Sequence, residues 1–288
     1  TVFAGNLDLL KVALTAGVSK VIFGGESFTP GFRWSAEHLG EAVELARCAQ
    51  AKAIIALPRI TKEREQKAIE NYIQTGHRLQ PDGFLVSHLG SLEMVRAVSD
   101  LPVYANHSLH FFNTHTLKIF AHQNLAGFTL SPELKKGEIF ALIDQADFSR
   151  VEMELLVFGA LELMVSQFCP VGAWAGQKPP ASCPRPCQQG RYFLRDRKDI
   201  DFPVVVDEYC RFHLLNSRYL SLLPELESLR DKNLSLRLDL RHQSPELAAK
   251  VIEVFQGGLS GAKTTDQTIL ETILDQGLTK GHYYRGVE

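Results

Sequence analysis

Gly83-Phe84-Leu85-Val86-Ser87-His88-Leu89-Gly90 is followed by Ser91 to Val98 and then by Pro102-Val103-Tyr104-Ala105-Asn106-His107. A short apolar run closes on polar residues, an amphipathic segment follows, and a second apolar run again closes on polar residues. Short apolar runs bounded by turn signals read as buried strands, and a helix-period segment between two of them reads as a crossover. The stretch is therefore one β–α–β unit, whose two strands are predicted to lie parallel with a right-handed connection.

The same rhythm extends both ways. Strands are predicted at Lys20 to Phe23, Ala53 to Leu57, Gly127 to Leu130, Val151 to Phe158 and Leu234 to Leu240. Helices fall at Leu7 to Ala16, from an N-cap at Ser35 to about Ala49, at Thr61 to Gln74, from Asn113 to about His122, at Glu138 to Gln145, and from Ser244-Pro245-Glu246 to about Phe255. The chain opens on Thr1-Val2-Phe3-Ala4-Gly5-Asn6, which reads as a loop just past a strand. Seven strands and that opening predict an α/β fold, a TIM-like (β/α) barrel lacking its first strand. The strand at Lys20 to Phe23 should then present an open edge. A doubly wound open sheet is the alternative, although no G-x-G-x-x-G fingerprint accompanies it.

Between residues 159 and 233 the rhythm breaks. Four of the five cysteines fall there, at Cys169, Cys183, Cys187 and Cys210. The chain thus divides into barrel units over 1–158, a cysteine-rich metal-binding insertion over 159–233, and a last strand, helix and tail over 234–288. Soft thiolates close the coordination of zinc or of an iron–sulfur cluster. Pro184 and Pro186 stiffen the loop between Cys183 and Cys187. A zinc ribbon usually offers two close pairs, whereas here Cys169 and Cys210 stand apart. Cys48, on an amphipathic helix, is expected in the core.

The 288 residues are 45% hydrophobic and 22% charged, with a net charge of −2. This is globular composition without a global pull on nucleic acid or anionic lipid. Arg185, Arg191, Arg195, Arg197 and Lys198 form a local basic group. No apolar run of about 18 residues predicts a membrane span. An odd cysteine count argues against a disulfide framework, and a cytoplasmic location is expected.

Several motifs, in order, resemble the collagenase-like peptidases of family U-32. Glu154-Leu155-Leu156-Val157-Phe158-Gly159-Ala160, then Cys169, then Cys183-Pro184-Arg185-Pro186-Cys187 is similar to that family's E-x-F-V-H-G-A, a later cysteine and a C-x-x-P-C loop. Ala4-Gly5-Asn6, Gly24-Gly25-Glu26-x-Phe28, Asn106-His107-Ser108-Leu109-His110-Phe111-Phe112-Asn113, Ser131-Pro132-Glu133-Leu134, Asn216-Ser217 and Gly281-His282-Tyr283-x-Arg285-Gly286-Val287 resemble its other landmarks. The resemblance implies a barrel-like domain and a [4Fe–4S] cluster. It also implies oxygen-independent hydroxylation of RNA bases or quinone precursors, with prephenate as the hydroxyl source in some members. Cys169, Cys183 and Cys187 fall on cluster positions. The fourth ligand of some members falls at Ser221, and Cys210 is the nearby candidate. Two departures stand out: Phe158 replaces the motif histidine, and His110 replaces an asparagine.

The expected site lies where strands end. Candidate catalytic residues are Glu26, His88, His110 and Glu133, although Glu133, just after Pro132, also suits a helix cap. Asn106, Asn113, Arg185, Arg191 and Arg211 are candidate substrate-binding residues. The metal ligands would be Cys169, Cys183, Cys187 and Cys210, with a [4Fe–4S] cluster first and zinc as alternative. His107, His110 and His115 read as polar pocket lining more than as metal ligands, since no H-E-x-x-H is present. The expected activity is hydroxylation of RNA or a small-molecule quinone precursor. A peptidase acting on peptides is the alternative, and a metal-stabilised binding module the third class. No G-x-S-x-G elbow marks a serine nucleophile.

Overall fold

The computed structural model describes residues 1–121, 123–145, 151–176, 183–261, 268–274 and 277–286. His122, at the expected end of one helix, and Val287, at the end of the tail motif, lie outside them. The central β–α–β unit forms as read: β4 (Gly83–Val86) leads through α4 (Leu89–Val98) to the parallel β5 (Val103–Ala105). On one side lie β1 (Val2–Phe3), α1 (Leu7–Thr15), β2 (Lys20–Gly24), α2 (Ala36–Cys48), β3 (Lys52–Ala56) and α3 (Gln66–Leu79). On the other lie α5 (Thr114–Ala121), β6 (Gly127–Thr129), α6 (Lys136–Gln145) and β7 (Glu152–Ser166). After the insertion come α7 (Leu226–Arg230), β11 (Ser235–Asp239) and α8 (Pro245–Leu259).

Eight parallel strands close on themselves. β11 pairs β7 through Leu236 and Leu155, and pairs β1 through Leu238 and Val2. β1 pairs β2 in turn, Val2 opposite Val21. The fold is therefore a TIM-like (β/α) barrel, and the expected missing first strand is corrected. β1 is present but only two residues long, too short to show an alternation in sequence. The strand at Lys20 has a neighbour on each side and no open edge.

Alternate residues face opposite sides of each strand. Phe3, Ile22, Ile54, Ala56 and Leu85 cluster in the lumen beside Tyr104. Val2, Val21, Phe23, Ile55, Phe84 and Val86 face out and pack under the helices in the main core. Ser35 and Ser244 cap α2 and α8 as read, accepting from the N–H of His38 and of Leu247. The α3 helix starts later than expected, after a tight turn at Glu63–Glu65.

Two glycine positions shape the barrel's upper rim. Gly24 and Gly25 have φ of 94° and 71°, and let the chain turn off β2. Gly159 has φ 148°, and a Cβ there would lie 2.8 Å from the Cβ of Asp239. It admits β11 close beside β7 where β7 leaves the barrel.

β7 continues past the barrel to Ser166 and pairs antiparallel with β10 (Phe212–Ser221), Phe212 opposite Ser166. β9 (Asp201–Val206) pairs the far side of β10, and β8 (Tyr192–Arg195) pairs β9. The insertion is thus an antiparallel sheet grown from a barrel strand. A short β12 (Leu278–Thr279) runs parallel to β10. Among the described residues no helix is long and apolar enough to cross a membrane.

Candidate functional site

Two cavities lie above the C-terminal ends of the barrel strands, the functional face of such barrels. The first, about 230 Å³, is the barrel mouth. Its lining includes Glu26 after β2, Arg59 after β3, Asn106 and His107 after β5, Glu162 on β7, and Arg241 after β11. The cations are held by carboxylates. Arg241 forks onto Asp239, with Nε to Oδ1 at 3.0 Å and Nη2 to Oδ2 at 2.8 Å. Arg59 pairs with Glu162, and its backbone N–H donates to Glu26.

A buried polar network lies beneath. Arg237 donates to Asn106 Oδ1 and to Thr129 Oγ1, both at 2.9 Å, and pairs with Glu154. Lys20 pairs with Glu152 and, at 3.2 Å, with Glu154. Burial alone would raise the Glu154 carboxyl, but Arg237 and Lys20 outweigh it and hold it at about 2. Asp239 is held at about 2 in the same way: Arg241 overcomes the burial. Burial, and then Arg59, Arg237 and Arg241, push the His107 imidazole down to about 3, so it is neutral at physiological pH. Its Nδ1 is enclosed without a hydrogen-bond partner among the described residues.

The second cavity, also about 230 Å³, is lined by Cys169, Cys183, Cys187 and Cys210. They arrive from three segments: Cys169 just past β7, Cys183 and Cys187 from the loop before β8, and Cys210 from the turn between β9 and β10. That turn is tightly made. Asp207 Oδ1 accepts from the N–H of Tyr209 at 2.9 Å and of Arg211 at 2.7 Å, and the Cys210 N–H donates to the Asp207 carbonyl at 3.0 Å. Cys210 itself has φ 61°. The Gly172 N–H donates to Cys169 Sγ at 3.2 Å. Burial, and then Cys169, Cys210 and Cys183, push the Cys187 thiol up. Burial also raises Cys210, with Arg185 opposing. A cationic metal centre would reverse this by drawing the thiols into thiolates. Among the described residues no three His, Cys, Asp or Glu side chains converge on the position of a single ion.

A chain of buried side chains joins the two cavities. His213 Nδ1 lies 2.5 Å from Glu162 Oε2 at the barrel mouth, and its Nε2 lies 3.4 Å from Asp207 Oδ2 beside Cys210. The Phe28 ring meets His213 edge-on at 4.9 Å.

The profile of peptidase family U32 matches residues 5–286. The chain belongs to peptidase family U32. Among its relatives is tRNA hydroxylation protein P of Helicobacter pylori strain J99. The two are 20% identical, over 98% of this chain and 70% of that protein. Another relative is tRNA hydroxylation protein P1 of Bacillus subtilis strain 168, 24% identical over 58% of this chain and 40% of that protein. Among solved structures, the U32 peptidase Mk0906 matches with a TM-score of 0.48 and 14% identity, covering 82% of this chain and 90% of that one.

In this U32 chain the residues expected from sequence divide into groups. Glu26, Asn106, His110 and Glu133 line the barrel mouth together. The four cysteines and Arg185 line the second cavity. Arg191 lies further out, in a neighbouring groove that Cys187 also lines. The other three are placed elsewhere. His88 caps α4, its Nδ1 accepting from the Ser91 N–H at 3.1 Å and its Nε2 3.3 Å from Thr61. Asn113 is exposed and caps α5, accepting from the Thr116 N–H. Arg211 is buried, paired with Glu65 and Asp207 and stacked on Tyr209. It braces the Cys210 turn and faces neither cavity. Cys48 is exposed near Glu44, which corrects its expected place in the core. Sequence reasoning passed over Arg59, Glu162, His213, Arg237 and Arg241. For four of them the one signal was position, since each stands on or just after a barrel strand or its extension; His213, on β10 of the insertion, carried no such signal.

Proposed function

We propose that this U32 chain hydroxylates a base of RNA without molecular oxygen, using an iron–sulfur cluster held by Cys169, Cys183, Cys187 and Cys210. The observation that carries the proposal is the convergence of four cysteines from three segments on one cavity beside the barrel mouth. The tRNA hydroxylation relatives point to the substrate class. The donor set fits such a cluster: four thiols and no competing carboxylate among the described lining residues. Bound there, the cluster supplies one-electron chemistry, or a Lewis-acidic iron where one position is left open.

The barrel mouth is read as the pocket for the small reactant. Asn106 is fixed by Arg237 and Glu26 by the Arg59 N–H, so both face the pocket preorganised. Neutral His107 also lines this pocket and adds no charge to it. The peptidase alternative finds less support. Among the described residues one Ser, His and Asp trio comes together, with His77 Nδ1 3.0 Å from Ser99 Oγ and 3.9 Å from Asp100. Both partners address the same nitrogen, so no carboxylate orients the imidazole from behind. The trio also sits past the end of α4, away from the functional face.

Protein purified without oxygen is expected to be brown and to contain iron and acid-labile sulfide. Cys183→Ser and Cys187→Ser should each remove the colour, and exposed Cys48→Ser should not. Transfer RNA from a strain lacking the gene should lose one hydroxyl by mass spectrometry. Colourless protein with stoichiometric zinc would overturn the cluster. Gelatin cleavage that survives chelation and loss of Cys187 would establish the peptidase instead.

A further inference from the structure

The rim of the cysteine cavity is aromatic and open to water. Trp174 is 78% exposed and Phe168 66%. Phe168 lines the cavity, and Trp174 directly follows its lining residues Gly172 and Ala173 in the chain. On the adjoining sheet Phe193 is 44% exposed, with the Arg191 guanidinium 5.7 Å from its ring centre. Arg185 lines the cavity between Cys183 and Cys187. Nearby Arg195 is already taken by a two-point bond to Asp201. Among the described residues no carboxylate ion-pairs with Arg185 or Arg191. Single exposed rings are common on proteins; exposed rings beside guanidiniums that no carboxylate pairs, across a cavity and the groove next to it, are not.

We propose that this rim and the groove beside it bind single-stranded RNA: an unpaired base stacks on Trp174, and Arg185 and Arg191 take the flanking phosphates. The inference rests on the RNA reading above. A base within a helix hides both faces and its reactive edge, so it must leave the stack to approach a centre inside a cavity. Aromatic side chains receive such a base whatever its identity, and arginines track the backbone. The unpaired arginines suit a polyanion, whose successive phosphates supply the partner charges that this surface lacks.

The chain has two tryptophans, and the other, Trp34, is 6% exposed and packed against Phe23 and Phe32. Accessible emission therefore reports Trp174. Protein as purified without oxygen is titrated with an unstructured uridine-rich 15-mer and with a blunt RNA duplex of equal length. The single strand should quench the emission and the duplex should not. By fluorescence anisotropy of labelled RNA, Trp174→Ala should weaken binding about tenfold. Trp174→Phe should keep the affinity while losing the signal. Arg191→Ala should reduce the slope of log affinity against log salt by about 0.7. Unchanged emission on RNA binding, or wild-type affinity in Trp174→Ala, overturns the proposal. A change of oligomeric state in Trp174→Ala with RNA binding intact overturns it too, and marks the rim as a contact between copies. The measurement needs neither iron nor a hydroxyl donor. RNA binding through Trp174 without hydroxylation would sink only the functional reading. Hydroxylation with Trp174 dispensable would sink only the surface.

Discussion

Arg237 holds three groups at once, Asn106, Thr129 and Glu154, in the floor of the barrel mouth. Removing one partner of a buried pair strands the other's charge, at a cost of about 3–5 kcal/mol. Arg237→Met should lower stability by about that amount in urea denaturation. Adding Glu154→Leu should recover most of it, because an apolar replacement of the whole pair costs little. A double variant as weak as the single would show that Glu154 is satisfied by Lys20 alone. The residue scale is also where sequence was most and least informative. Cysteine has few roles, so four in one irregular stretch could be read directly. Arginine has many, and the pairing of Arg59 with Glu162 or Arg241 with Asp239 is set by which strands are neighbours. Arg211 shows the error this invites. It stands next to Cys210 in sequence, yet its guanidinium turns inward to Glu65 and Asp207.

Among the elements, β1 matters out of proportion to its two residues. It is hydrogen-bonded on both edges, to β2 and to β11, and without it the barrel would gape. Phe3 carries its lumen face, buried beneath the Arg241 guanidinium at 4.3 Å. Phe3→Ala should cost about 3–5 kcal/mol, the range for a buried phenylalanine, seen as a lower midpoint in urea. A change under 1 kcal/mol would mean that β1 is dispensable for closure. Such a strand could not be read from Val2-Phe3, because alternation needs about four residues to show. The longer strands could be, since most are continuous apolar runs between turn residues, and β11 alternates Leu with polar residues. The sheet of the insertion was hidden for another reason. β8 and β9 are largely solvated, and Pro203 sits within β9, so neither shows a buried-strand pattern. The mouth itself was half legible: Glu26, Asn106, His110 and Glu133 follow strands. His88 and Asn113 also begin helices, and there the capping role took the side chain.

For the whole molecule, two enclosed imidazoles make stability depend on pH. His107 and His242 are each pushed down to about 3, first by burial and then by nearby arginines. In the unfolded chain both take protons near pH 6.5. Between those values the unfolded state binds more protons, so stability falls as pH falls. Glu208 works the other way. Burial raises it to about 7 against the Ser27 N–H, so its contribution is lost as pH rises through the same window. It offsets one imidazole and leaves a net loss of about 1.4 kcal/mol per pH unit between about pH 6 and 5. Glu154 and Asp239 add to the loss only below about pH 4.5, where the unfolded carboxylates protonate. Tm should therefore drop from pH 6.5 to 5, and His242→Gln should flatten the drop. A flat wild-type profile would contradict the enclosure of both imidazoles.

β7 spans fifteen residues, roughly 50 Å if fully extended, and serves both the barrel and the cysteine-bearing sheet. One uninterrupted ribbon thus acts as a beam built into two rooms. The pairing of its outer half with β10 ties the insertion to the barrel wall. The insertion cannot be excised like a cassette, because a cut after Phe158 would sever a load-carrying strand and strip β10 of its partner. Barrel mouth and thiols are thus furnished by one and the same strand, Glu162 on it facing the first and Cys169 just past its end lining the second.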